Sequence, residues 1–298
     1  MSKRRPLSYE KKKSAYGYVF ISMWLIGAVV FFLIPFVSAV IYSFHDMQID
    51  PGNVVLTSPG WQNYRRMFVE DSEFLPAFTS TLGSVLAQVP LICIFSLFIA
   101  VILNQKFRGR VIARAIFFLP VIITSGVVMN IINGDQFIGQ IMSGQRSSMM
   151  FEASSVRDML TATGLDQIAV DFIVSVVDRI FDLSWSSGIQ ILIFLAGLQS
   201  ISPTLYEVCR VEGANAWVTF WKVTLPMIGP MIVVGLMYTI IDNFIDYANP
   251  MFQYIQKVSG RIDFAYASAM SLVNFLVIFL LIGAVYLILN RRVYYVAP

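Results

Sequence analysis

Six stretches of this chain are long and apolar enough to need a bilayer, and that recurrence limits the fold more than any single motif. A helix must run for about 20 apolar residues to cross a hydrocarbon core about 30 Å thick. Runs at or near that length cover residues 18–44, 79–103, 113–132, 184–200, 226–246 and 265–290. Over the full 298 residues, 57% of side chains are hydrophobic and 13% charged, against an apolar share of about 45–50% in soluble domains. Pro35, Pro90 and Pro120 fall inside the first three runs, where neighbouring helices can satisfy the freed backbone groups. The expected fold class is an all-α polytopic membrane protein with six transmembrane helices.

Charge orients these runs. Lys3, Arg4, Arg5, Lys11, Lys12 and Lys13 precede the first run, which is too long for a cleaved signal peptide and lacks a small-residue cleavage site after it. Lys106, Arg108, Arg110 and Arg114 lie between runs two and three, Arg210 and Lys222 between runs four and five, and Arg291 and Arg292 after run six. Six crossings put all four basic groups on one side, the cytoplasmic one, with both termini; five or seven do not. The basic N-terminus is then 1–17, the outer loops 45–78, 133–183 and 247–264, the inner loop 201–225 and the tail 291–298. Asp135, Glu152, Asp158, Asp166, Asp171, Asp178 and Asp182 fall in or beside the second outer loop. Residues 168–181 read either as an amphipathic helix along the outer interface or as an extension of run four.

Several chemistries are missing. No G-x-x-x-x-G-K-[ST] pattern occurs, so the chain has no phosphate-cradling loop of its own. His45 is the only histidine, and Cys93 and Cys209 are the only cysteines, too few for a metal cluster or a disulfide framework. No nucleophile and base can be paired into an intramembrane enzyme. The basic clusters flank apolar runs and encode orientation rather than nucleic-acid binding. Asp242 and Asp246 are acids within run five, and in one helix their spacing puts them on one face. Carrying an acid to that depth costs at least about 2.5 kcal/mol, which makes it a functional candidate. One reading is an ion site in a secondary transporter of a small polar solute. Another ends run five near Ile240 and leaves both acids in water.

The segment from Glu207 to Pro230, EVCRVEGANAWVTFWKVTLPMIGP, sets charge and helix breakers between two apolar runs. Ser202 and Pro203 read as N-cap and first helical residue, Gly213 as a helix stop, and Pro226 as the start of the next helix. Trp217, Phe220, Trp221 and Thr224 recur at helical spacing, a stripe able to anchor the segment to its own spans.

This segment resembles the cytoplasmic signature loop of permease subunits in binding-protein-dependent ABC importers. Glu207, Gly213, Ala214, Phe220, Leu225, Pro226 and Pro230 stand at that family's spacing, with Glu212 in place of its usual Asp and Val208 and Cys209 in place of two alanines. Trp61-Gln62-Asn63-Tyr64, Phe117-Phe118-Leu119-Pro120 and the run from Phe194 to Pro203 are similar to further family signatures, those of its sugar-transporting, maltose/glycerol-3-phosphate-type branch. A Gly-Gly-Pro common after span five is replaced by Asp246-Tyr247-Ala248-Asn249-Pro250.

The resemblance implies a type I importer fold in a prokaryotic cytoplasmic membrane. It implies a second homologous permease subunit, two cytosolic ATPase subunits that bind ATP and Mg, and an extracytoplasmic solute-binding protein. The chain itself would hold no cofactor and would not be an enzyme. Glu207, Arg210, Glu212, Gly213, Ala214, Asn215 and Phe220 are the expected ATPase-coupling residues. Gln199, Asp242, Asn243, Asp246, Tyr247, Asn249 and Asn274 are the expected substrate-pathway residues, because amides, acids and aromatics suit sugar hydroxyls and rings.

Overall fold

The computed structural model describes residues 9–50, 53–57, 60–124, 160–162 and 166–291. It divides into two compact units, Met1–Ser72 with Ile255–Phe275, and Glu73–Tyr254 with Leu276–Pro298.

In the first unit, α1 (Tyr9–Ala28) runs through a π turn at Val29–Leu33 into α2 (Ile34–Ser43). Pro35 explains the wide turn. A proline lacks the N–H that the helix ladder needs and its ring crowds the preceding turn. Here the Ile34 N–H reaches back to the Val29 carbonyl and Pro35 falls in the first turn of α2, so the strain is absorbed without ending the helix. An antiparallel hairpin follows, β1 (Asp46–Asp50) against β2 (Asn53–Thr57), with Met47 opposite Leu56 and Ile49 opposite Val54. It is the one departure from an all-α chain among the described residues.

The aromatic-Asn-Tyr motif clamps the end of α2. On α3 (Gln62–Arg65), the buried Asn63 donates from Nδ2 to the Ser43 and His45 carbonyls, both at 3.0 Å. The Tyr64 hydroxyl donates to Ser43 Oγ at 3.0 Å, and the Phe44, Trp61 and Tyr64 rings pack with centroids 5.1 to 5.3 Å apart.

A second knot joins the π turn Arg66–Glu70 to the start of α13 (Phe264–Asn290). Arg66 Nη1 donates to Asp263 Oδ2 at 2.8 Å, its guanidinium lies 4.2 Å from the Tyr266 ring centroid, and the Tyr266 hydroxyl donates to Asp71. Burial alone would lower the Arg66 pKa. The hydrogen bond and charge of Asp263, with Tyr266 and Asp71, outweigh it and leave the group above the ordinary arginine value. Asp263 also caps α13, accepting from the Tyr266 N–H. Just before it, Ile262 holds a φ of 66°, a left-handed conformation that costs an L residue roughly 1–2 kcal/mol.

The second unit is built on α4 (Phe74–Asn104), α7 (Gly188–Ser200) and α11 (Gly229–Ile245), with α5 (Arg110–Thr124) and α6 (Gln167–Ser186) against them. α4 begins five residues before the expected position because Pro76 fits the first helical turn, where its missing N–H is not needed. One apolar cluster joins Cys93, Ala100 and Leu103 of α4 to Ile191, Phe194, Leu195 and Leu198 of α7, with Ile201 and Ile228. Another joins Val85 and Val89 to Ile240 and Phe244, flanked by Val277, Ile278 and Leu281.

Two glycines set the α7 to α11 distance. A Cβ on Gly197 would sit 2.7 Å from the Met231 side chain, and one on Gly235 would sit 2.7 Å from the Phe194 ring. Between membrane helices such packing supplies the attraction that apolar burial cannot, since lipid is equally apolar.

Among the described residues three helical segments, Ile21–Ser43, Phe74–Asn104 and Phe264–Asn290, are long and apolar enough to cross a bilayer, and two bent pairs raise the number to five. The expected straight run at 184–200 is broken: α6 and α7 meet at 58°, around a buried Ser187 whose Oγ returns to the Ser184 carbonyl at 3.2 Å. α7 alone has 13 residues, about 20 Å of helix, and does not span. The run expected from 226 starts instead at Gly229, after a 67° bend. Of the run at 113–132, the part after Thr124 lies outside the described residues, as does most of the loop at 133–183.

Two stability changes follow. Gly235→Val should lower the thermal midpoint of the purified protein in detergent, by an overpacking cost of about 1–3 kcal/mol, while Gly283→Ala, whose Cβ meets nothing within 4 Å, leaves it unchanged or higher. Asn63→Ala removes the donor to two carbonyls and should cost about 1–3 kcal/mol, against no change for the exposed neighbour Gln62→Ala.

Candidate functional site: the loop between α7 and α11

The loop is a chain of capped turns. Ser202 is the N-cap of α8 (Pro203–Val211), its Oγ accepting from the Thr204 N–H at 3.4 Å, with Pro203 in the first helical turn. At the other end Gly213 takes φ +74°. The Ala214 N–H bonds the Cys209 carbonyl at 2.9 Å and the Gly213 N–H bonds the Arg210 carbonyl at 3.1 Å, the paired bonds of a Schellman closure. Asn215 then caps α9 (Ala216–Thr219), its Oδ1 accepting from the Val218 N–H at 2.8 Å. Ser202, Pro203 and Gly213 thus stand where the sequence puts them; the cap at Asn215 was legible as an Asn three residues before a helical amide, and was missed.

The aromatic stripe divides. After α9 the chain enters a π turn at Phe220–Thr224 and then the one-turn α10 (Leu225–Met227), which holds Pro226 instead of opening the long helix. The extra residue per turn rotates the stripe. Phe220 and Thr224 turn inward, while Trp217 and Trp221 remain exposed and pack edge to face at 5.5 Å. They do not anchor the loop to the described helices. Tyr206 does: its hydroxyl meets Thr224 Oγ1 at 3.3 Å and ties α8 to the π turn. Ile228, fully buried in the first apolar cluster, joins the loop to α11.

Of the expected coupling residues, Glu207, Arg210, Glu212, Gly213 and Asn215 are exposed, and Ala214 and Phe220 are half-buried. Beside them Val208 and Val211 are bare, Val211 to 87%. Exposed valines among acids and an arginine make a surface with an apolar centre and charged edges, as partner-covered patches have.

The expected pathway residues of the second unit are spread along α7, α11 and the turn beyond it. Gly197 packs on Met231 and Phe194 on Gly235, so α7 and α11 run antiparallel and Gln199 lies toward the start of α11. Asp242 is eleven residues beyond Met231, about 16 Å along the helix. Asp246 is the C-cap of α11, which ends at Ile245; its backbone turns out of the helix and its Oδ1 accepts from the Ala248 N–H at 2.9 Å. Asn249 is buried and bonded through both ends of its amide. Its Oδ1 accepts from Thr81 Oγ1 at 2.8 Å and from the Met251 and Phe252 amides, capping α12 (Pro250–Gly260), while its Nδ2 donates to the Asn243 carbonyl. That is a structural role. Asn243 donates to the Thr239 carbonyl at 3.0 Å, and Tyr247 is exposed against Phe252. Asn274, in the first unit, is buried with Oδ1 lacking a partner. Among the described residues no three His, Cys, Asp or Glu side chains converge to hold a metal.

Bent helical spans and a capped loop with an exposed, partly charged face define a helical membrane protein. Residues 73–298 match the family described as binding-protein-dependent transport system inner membrane component, and the chain belongs to it. It is 32% identical over 259 residues to the "Probable ABC transporter permease protein YesP" of Bacillus subtilis, across 85% of this chain and 77% of that protein. It is 32% identical over 219 residues to the "Multiple sugar-binding transport system permease protein MsmF" of Streptococcus mutans, across 73% and 70%. A chain from the crystal structure of a bacterial ABC transporter that imports the acidic polysaccharide alginate has the same fold, with a TM-score of 0.65 at 20% identity over 95% of this chain and 97% of that one.

At Gly213 the space around the missing Cβ is open, so substitution costs only backbone strain. Gly213→Asn should therefore be tolerated, since Asn accepts the left-handed region, whereas Gly213→Val should destabilise the loop by roughly 1–2 kcal/mol. Faster proteolysis at 211–215 in the valine variant alone would show it.

Proposed function

We propose that this chain forms half of the translocation pathway of an ATP-driven importer for a sugar or oligosaccharide. It crosses the cytoplasmic membrane six times with both termini inside and pairs with a second homologous permease subunit. Two cytosolic ATPase subunits bind ATP and Mg and engage the loop through Glu207, Arg210 and Glu212. An extracytoplasmic solute-binding protein delivers the ligand. The observation that carries this reading is the loop itself: closed at Gly213, capped at Ser202 and Asn215, and seated in the core through Ile228. A displacement of its exposed face is passed through Ile228 to the start of α11. The sugar class is carried over from the Streptococcus mutans relative, whose name specifies multiple sugars.

The ion-coupled secondary transporter is not favoured. Family membership speaks for the importer.

The test is co-purification of the assembled transporter. Glu207→Arg, a charge reversal on an exposed position, should reduce the ATPase recovered with the permease by about tenfold, which corresponds to a loss of about 1.4 kcal/mol. Gly213→Pro should do the same by removing the N–H of the Schellman closure. Undiminished ATPase in both variants would sink the assignment of the loop.

A further inference from the structure

Between the end of α4 and the loop lies a cavity of about 440 Å³, lined by Arg210, Ala214 and Phe220 of the coupling set and by residues that the coupling role does not use. Its size falls in the range of about 300–1,000 Å³ that small-molecule sites occupy. Asn104 and Gln105 come from the last residues of α4 and the cap beyond it, Tyr206 and Arg210 from α8, and Thr219 and Phe220 from α9 and the π turn. The lining is chemically specific. Arg210 is its single cationic residue, able to hold a phosphate through two parallel N–H donors. The two amides offer both donors and acceptors. The Tyr206 and Thr224 hydroxyls meet at 3.3 Å, and Thr224 Oγ1 donates to the Thr219 carbonyl at 3.4 Å; both contacts are long for O–H···O bonds and can give way to a better partner. Phe220 supplies one apolar ring.

We propose that this cavity binds a sugar phosphate, an anionic polyol, and that the bound ligand restrains the loop against α4 and slows transport. The chemistry matches group for group: one anion for one arginine, several hydroxyls for the amides and hydroxyls, and a ring face for Phe220. The restraint follows from the walls. One belongs to α4, packed in the core through Ala100 and Leu103, and the other to the loop that would move. A ligand fitted to one spacing of these walls shifts the equilibrium toward that spacing by its differential affinity. Phosphoryl transfer is the class of reaction that would turn an imported neutral sugar into such a ligand, so the site would read the supply already inside. The inference rests on the importer reading for its cytosolic location and its effect on transport. The binding itself stands on the cavity alone.

A phosphatidylglycerol headgroup shares this chemistry, and the test separates the two sources. The intact transporter complex is placed in nanodiscs of phosphatidylcholine alone or with phosphatidylglycerol. Glucose 6-phosphate and glucose 1-phosphate are the probes, with glucose and inorganic phosphate as controls. Either sugar phosphate should raise the thermal midpoint and slow substrate-stimulated ATP hydrolysis several-fold in both lipids, with no such effect from the controls. Asn104→Leu with Gln105→Leu should abolish both effects and keep the uninhibited rate. Arg210→Gln should abolish the thermal shift.

No thermal shift with either probe overturns the proposal, as do a shift without inhibition, a shift that persists in the double variant, and an effect of phosphatidylglycerol alone. An ATPase retained by Glu207→Arg would instead undo the coupling role, while the thermal shift would still report on the cavity.

Discussion

The close approach of α7 and α11 is the constraint on which the second unit depends. Phe194 lies over Gly235 and Met231 over Gly197, so the two helices meet at a distance that no side chain at either glycine would permit. Because they run antiparallel, the end of one and the start of the other are brought side by side, with Ile201 and Ile228 buried in the same cluster. The residues between them are therefore anchored at both ends before any local turn is considered. In a bilayer this matters more than in water, because the attraction must come from fit and not from exclusion of solvent.

Local chemistry then gives the anchored segment one shape. Two N-caps, a left-handed glycine and a π turn each satisfy backbone groups that a short helix would leave bare. Helices of nine and four residues are too short to persist alone. They hold here because each end is closed and because Tyr206 ties the first helix to the π turn. What remains outside, Glu207 to Val211, is a surface no element of the described chain covers.

Much of this was legible in the sequence, in proportion to how local the cause is. Ser202, Pro203 and Gly213 act through their own backbone geometry, and each is found where its residue type suggests. The aromatic stripe was read at a constant 3.6-residue period, which the π turn at Phe220 breaks. The bend at Ser187 has no proline beside it to announce it, whereas the one at Ile228 lies between Pro226 and Pro230, of which the first was read as the helix start. Asn249 looked like a ligand-binding amide because its partners, Thr81 and Asn243, are 168 and 6 residues away, contacts that periodicity cannot show.

Asn249 also shows how the two ends of α11 differ in what they can transmit. At its start, Ile228 is held by apolar contacts, which resist separation but have no preferred direction and allow the bend to pivot. At its end, the turn from Asp246 to Asn249 is fixed by directional bonds to Thr81 and to the first amides of α12. A push delivered at the pivot therefore arrives at a joint that cannot swivel without breaking several hydrogen bonds at once, each worth most where water is scarce. The helix must carry Thr81, and with it the start of α4, along with its own end. On the proposed reading, a small motion of the loop moves α4 and α11 together as one wall of the pathway, so that opening involves displacement of that wall rather than bending of a single helix.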